Sequence, residues 1–306
     1  PLNDPVSIGP VTSWIIGTSA LIPPITWAGT VLSHPPIRTH ASIGWALNIS
    51  SVSIDIRFLR YMEDLYKAGG SIRIFNELKD FLYLDAKLVN GKTLGDEIQK
   101  ASKWNQDIIT TKENPVFKGG SIAVLSGSLA PGFAIIKQSA ATSELLVHEG
   151  KAVVFENLED LSNRVDSDDL EVTKNDVLVL KSIGPKGGPG MPEAGLIPIP
   201  KKIARQGVKD MVRISDGRMS GTASGTIVLH VTPESHEKGP LAIVKNGDLI
   251  KLDVPNRKID LLISENELNN RILKISDNKI KRRGYNKLYM EEVTQANEGV
   301  DFKFLK

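Results

Sequence analysis

Between Ile122 and Ile263 the chain is a succession of short apolar runs separated by turn-forming and polar residues such as Gly, Pro, Asn, Asp and Ser. Runs this short cannot form an amphipathic helix of useful length, but they suit strands that bury one or both faces. The expected strands are IAVL (122–125), AVVF (152–155), VLVLKSI (177–183), TIVLHVT (226–232), LAIVK (241–245), LIKLDV (249–254) and KIDLLI (258–263). Asn246-Gly247 fits a two-residue hairpin turn with positive φ at both positions, and Pro255-Asn256 fits the next turn. So many strands with few helices predict a closed β-barrel or sandwich decorated by helices. Two helices are expected to close the chain. Ser264 and Glu267 form a capping box ahead of Leu268 and Ile272, and Leu288, Val293 and Ala296 recur over 288–296.

Upstream the period changes. FLRYMEDLYKAGG sets Phe58, Leu59, Met62, Leu65 and Tyr66 on one helical face, with Gly69 and Gly70 as the stop. A second helix over about 71–82 carries Ile74, Leu78, Phe81 and Leu82. The polar stretch 105–120 reads as a connection. Two domains follow: 1–115, helical over 51–100 and without clear periodicity over 1–50, and 116–306. The 5–37 segment has no Asp, Glu, Lys or Arg, but Pro10, Pro23, Pro24, Pro35 and Pro36 interrupt it. A membrane helix is therefore not expected, and a soluble, cytoplasmic protein is. Lys and Arg number 38 against 36 Asp and Glu, a balance that argues against nucleic acid as a partner. The chain has no cysteine, so its own residues cannot build a disulfide scaffold or a thiolate-held iron–sulfur cluster.

Two irregular loops could carry chemistry. GPKGGPGMPEAG (184–195) is too rich in Gly and Pro for regular structure. It can aim backbone N–H groups at an anion, and it places a carboxylate at Glu193. It lacks the Gly-Lys-Ser/Thr of a Walker loop. RISDGRMSGTASG (213–225) sets Ser220, Thr222 and Ser224 among glycines but does not form a Gly-x-Ser-x-Gly elbow. A serine hydroxyl is a feeble base unless a neighbour lowers its pKa. The five histidines show no metal-binding spacing, and His230, inside an apolar run, reads as a core residue.

With these loops in view, the chain resembles the C-terminal half of the dihydroxy-acid dehydratase/phosphogluconate dehydratase family. The matching runs include YMEDLYKAGG (61–70), GKTLGDEI (91–98), LAPGFAIIKQSAA (129–141), GKAVVFENLEDL (150–161), GPKGGPGMPEAG and KDMVRISDGRMSGTASGTIVLHVTPES (209–235). The ending RRGYNKLYMEEVTQANEGVDFKFL is similar to the sugar-acid branch, with arabinonate, xylonate and gluconate dehydratases. The resemblance implies an α+β fold: a C-terminal, swivelling-type β-barrel flanked by helices, preceded by a helical remnant of an α/β domain. It implies removal of water from a 2,3-dihydroxy acid, with Ser220 as general base and Thr222 orienting it. Glu193 would be a Mg²⁺ ligand, while Lys186, Gly187 and Gly188 would line the substrate site with Ser220 and Thr222. An iron–sulfur cluster, 2Fe–2S or 4Fe–4S, would complete the cofactors. Its cysteines belong to the family's N-terminal half, which implies a truncated or degenerate dehydratase. The resemblance also implies a homodimer or higher oligomer, or pairing with a chain that supplies the other half.

Overall fold

The computed structural model describes residues 62–101, 108–115, 120–275 and 283–305. The helix positions expected at Phe58 and Leu59 lie outside them. The chain divides into two compact units, Pro1–Ser121 and Ile122–Lys306.

In the first unit, α1 (Met62–Lys67) and α2 (Gly70–Glu77) bury Leu65, Ala68 and Ile74 with Ile108 and Ile109. The expected apolar face of α1 is narrower than its spacing suggested, since Met62 and Tyr66 are exposed. A third helix, α3 (Leu94–Ile98), starts at a reciprocal capping box: Thr93 Oγ1 accepts from Asp96 N and the Asp96 carboxylate accepts from Thr93 N.

The second unit is built on one eight-stranded sheet. The strands are β1 (Ala123–Leu125), β2 (Ala134–Ile136), β3 (Val147–Phe155), β4 (Val177–Leu180), β5 (Arg213–Ser215), β6 (Ile227–Leu229), β7 (Leu249–Asp253) and β8 (Lys258–Leu261). Their order is β1-β2-β6-β5-β4-β3-β7-β8, and a parallel bridge between Ser126 and Lys258 brings the two edges together into a nearly closed barrel. The central strands β3, β4, β5 and β6 are mutually parallel, whereas β1, β2, β7 and β8 join them antiparallel. Alternation along the central strands feeds two cores. Val154, Val177, Val179, Ile214 and Val228 point into the barrel with Leu125, Ile136, Ile250, Leu252 and Ile259. Val153, Phe155, Leu178 and Leu180 point outward and are covered by Leu161 of α4 (Leu158–Arg164), Ile203 of α5 (Lys201–Ala204) and Met211. Burial on both faces is the usual condition of parallel strands, and it explains their unbroken apolar runs.

The α+β barrel is therefore present, with local differences. The run 241–245 is not a strand: Gly239-Pro240 starts a 3₁₀ turn over Pro240–Ile243 that buries Leu241 and Ile243. No hairpin forms at 246–247, where only Gly247 takes a positive φ, 84°. The Asn246 side chain instead accepts a bond from Val154 N at 2.6 Å. The β7–β8 hairpin forms as expected. Ser264 caps α6 (Glu265–Leu273) through Glu267 N at 3.2 Å, but Glu267 turns to Arg271 instead of back to the cap. The last helix, α7, runs Gly284–Glu292, earlier than expected, and buried Val293 follows it.

The barrel seam is close-packed. Ser126 N donates to Arg257 O at 3.0 Å and Ile259 N to Ser126 O at 3.2 Å. A Cβ on Gly127 would overlap the Ile259 carbonyl, which is backbone and has no rotamer to escape into. Gly127→Ala should therefore destabilise the protein by about 2–3 kcal/mol in urea unfolding, as overpacked sites do. Little change would show that the seam is loose.

Candidate functional site

Strands β4, β5 and β6 run in one direction, so the segments leaving their carboxyl ends emerge on one rim, where open parallel sheets place ligands. The 184–195 loop follows β4, the 216–225 loop follows β5, and the 230–240 segment follows β6.

Arg218 joins the first two loops. Its Nε donates to Met191 O at 2.6 Å, its Nη1 meets Glu193 Oε1 at 2.8 Å, and its own carbonyl accepts from Gly195 N at 2.7 Å. Glu193 and Ser220 therefore belong to two loops stitched together by one arginine, two residues before the serine. The Ser220 Oγ and Thr222 Oγ1 lie 3.0 Å apart, and Thr222 N approaches Ser220 Oγ at 3.4 Å. Ser220 is half-buried and Thr222 exposed, so the pair faces outward from the rim. Lys137, just past β2, reaches the Gly221 carbonyl at 2.9 Å and brings a second cation to this turn. Among the described residues the Ser220 hydroxyl bonds only to Thr222, and no carboxylate or imidazole stands ready as its base.

The three residues expected to line the site with their backbones are engaged elsewhere. Lys186 N and Gly187 N donate to the buried Glu234 carboxylate, Gly188 N donates to Gly184 O, and the Lys186 ammonium pairs with Glu237 at 2.5 Å. Composition alone marked this loop as an anion cradle; the anion it holds is the protein's own Glu234.

Beneath the loops sit three titratable groups that sequence reasoning missed or read blandly. Asp216, fully buried, accepts from Ile183 N at 3.0 Å, from Ser235 N at 2.9 Å and from Ser235 Oγ. Burial pushes the Asp216 and Glu234 carboxyls up, against the hydrogen bonds that favour their charge. His230 is in the core as expected, in the left-handed region with φ 54°, and its pKa is pushed down to about 4 by burial and then by the Arg218 guanidinium. Nothing in the sequence pattern distinguished Asp216 or Glu234 from surface acids.

The metal and cluster implied above do not fit these residues alone. No group of three or more His, Cys, Asp or Glu able to hold a metal ion occurs among the described residues. Glu193 offers a single carboxylate, and the chain has no cysteine for a cluster. No helix among the described residues is long and apolar enough to cross a membrane.

Residues 107–300 match the family model described as dihydroxy-acid/6-phosphogluconate dehydratase C-terminal. The chain belongs to that family. Curated relatives include an L-arabinonate dehydratase of Rhizobium leguminosarum, 46% identical over 248 residues, covering 80% of this chain and 43% of the relative. A 6-deoxy-6-sulfo-D-gluconate dehydratase of Pseudomonas putida is 43% identical over 80% of this chain and 43% of its own length. A dihydroxy-acid dehydratase of Carboxydothermus hydrogenoformans is 42% identical over 79% and 44%. The chain thus spans less than half the length of the curated relatives it matches.

The His230 environment predicts a pH dependence. An imidazole at about 4 when folded and near 6.5 when unfolded favours the neutral form in the fold. Its contribution is complete above pH 6.5 and is lost as the pH falls from there towards 4, by at most about 3 kcal/mol. His230→Asn, which tolerates the same backbone, should flatten this part of the stability–pH curve. Parallel curves for the two proteins would show that the ring is not desolvated.

Proposed function

We propose that this chain is the C-terminal half of a hydro-lyase that dehydrates a 2,3-dihydroxy sugar acid to a 2-keto-3-deoxy acid. The observation that carries the reading is the Arg218 bridge, which ties the Glu193 loop to the Ser220–Thr222 turn on one rim. Membership of the dehydratase family supports it. A sugar acid is favoured over a branched-chain dihydroxy acid because identity is 46% to the arabinonate enzyme against 42% to the dihydroxy-acid enzyme.

In the reaction the C2 proton is removed, the C3–oxygen bond breaks, and the enol so formed tautomerises to the 2-keto acid while hydroxide takes a proton and leaves as water. In this reading Ser220, as its alkoxide, takes the C2 proton and then gives it to the departing hydroxide. Thr222, in hydrogen-bond contact with it, fixes the hydroxyl's direction. Arg218, two residues before Ser220, and Lys137, which reaches the Gly221 carbonyl from the end of β2, favour a negatively charged oxygen there. Glu193 presents a carboxylate oxygen from the facing loop. The thiolates that complete such a site come from outside these 306 residues, which hold no cysteine, in the same polypeptide or a partner. The occupant of the rim is a small polyhydroxy carboxylate, in a homo-oligomer or in a pairing that completes the site.

The purified chain should bind no iron–sulfur cluster and convert neither arabinonate nor gluconate. Mixed with a separately produced N-terminal half of the arabinonate enzyme, it should form 2-keto-3-deoxy acid, and Ser220→Ala should lower that rate by about 10²–10⁴-fold. Turnover by the chain alone would overturn the division of the site. Unchanged turnover by the Ser220→Ala variant in the mixture would overturn the assignment of the base.

A further inference from the structure

Within the 184–195 loop, Gly188 N to Gly184 O, Met191 N to Gly188 O and Ala194 N to Pro192 O are local turns, and one backbone bond, Gly195 N to Arg218 O at 2.7 Å, ties its far end to the neighbouring loop. The glycine-rich first half is placed by a side chain. Glu234, 1% exposed, accepts Lys186 N at 3.0 Å on each carboxylate oxygen and Gly187 N at 2.8 Å on Oε2. Its Oε1 also accepts from Gln295 Nε2 at 2.7 Å, while Gln295 Oε1 accepts from Glu234 N at 2.9 Å. The loop lies tightly on this carboxylate, since a Cβ on Gly184 would sit 2.7 Å from Glu234 Oε2. The segment carrying Gln295 touches the loop again through the Tyr289 hydroxyl, which meets a backbone hydrogen bond from Gly190.

We propose that Glu234 and Gln295 form a positioning clamp that fixes the glycine-rich loop, and with it Glu193, opposite the Ser220 turn. The clamp couples the C-terminal segment to the site across 61 positions of sequence. What the loop serves rests on the dehydratase reading; the clamp itself does not. Glu234 here is a positioning residue that needs no contact with substrate. Its hydrogen-bond pattern is strict, since two loop amides and the Gln295 amide all donate to it, so an acceptor-only carboxylate is required.

Amide hydrogen exchange on the full chain tests this. Glu234→Gln puts an NH₂ group against one of these donors and should speed exchange at Lys186 and Gly187 by about tenfold or more. The Leu178 amide, bonded to Val212 O in the core, should stay unchanged. The double variant Glu234→Gln with Gln295→Glu turns the amide's NH₂ to the new carboxylate and its carbonyl to the loop. It should bring exchange back to within about threefold of wild type. If Glu234→Gln does not fold, Gln295→Ala decides: it should raise loop exchange while the core holds. Unchanged loop exchange, a uniform rise that includes Leu178, or failure of the double variant to restore the loop each overturns the clamp. None of these readouts needs substrate, so absence of dehydratase activity leaves the result standing.

Discussion

The constraint on which the rest depends is the double burial of the parallel strands. Phe155, Leu178 and Leu180 face an outer apolar layer while Val154, Val177 and Val179 face the barrel interior. Strands held from both sides cannot shift register without moving side chains from one core to the other. Their carboxyl ends are therefore fixed, and the irregular loops start from a rigid rim. Polar groups near this scaffold are satisfied in the same spirit. Arg213, within β5, is buried and spends its guanidinium on Asp210 at 2.6 Å and the Ile197 carbonyl at 3.0 Å. Asp210 in turn accepts from Thr142 and Thr226. Removing one member would strand a buried charge, a larger penalty than the loss of a surface pair.

Much of the barrel was legible because burial on both faces leaves runs such as VLVL that nothing else explains. What was hidden shares a physical cause. β5 reads RIS, and a charged residue conceals a strand unless its partner Asp210 is known. β2 follows Pro131-Gly132 and Phe133, whose φ of 80° marks a turn that a sequence pattern would not assign to phenylalanine. The run 241–245 misled in the other direction, since apolar content reports burial and a 3₁₀ turn packed into the barrel core is as buried as a strand. Glu193, Ser220 and Thr222 stand out from loop composition and resemblance, and Arg218 ties their two loops together. Glu234 and Asp216 were invisible: a buried carboxylate is distinguished by its donors, here loop amides and hydroxyls far away in sequence.

The two glycine-rich loops also differ in what holds them, and the difference bears on function. The 184–195 loop is pinned from below by Glu234 and from the side by Arg218, whereas the Ser220 turn is held by Lys137 at one carbonyl and by its own hydroxyl pair. Under the proposed function, a carboxylate at Glu193 gains from rigidity, because a misplaced oxygen loses affinity steeply. A base at Ser220 would need direction more than immobility, and the Thr222 hydroxyl at 3.0 Å can supply it. Arg218 serves both loops, neutralising Glu193 while its cationic field also disfavours a proton on His230. The rim is thus organised around one guanidinium. A divalent ion arriving at Glu193 would compete with it directly, because the same Oε1 now spent on Arg218 is one of the oxygens a hard cation would take.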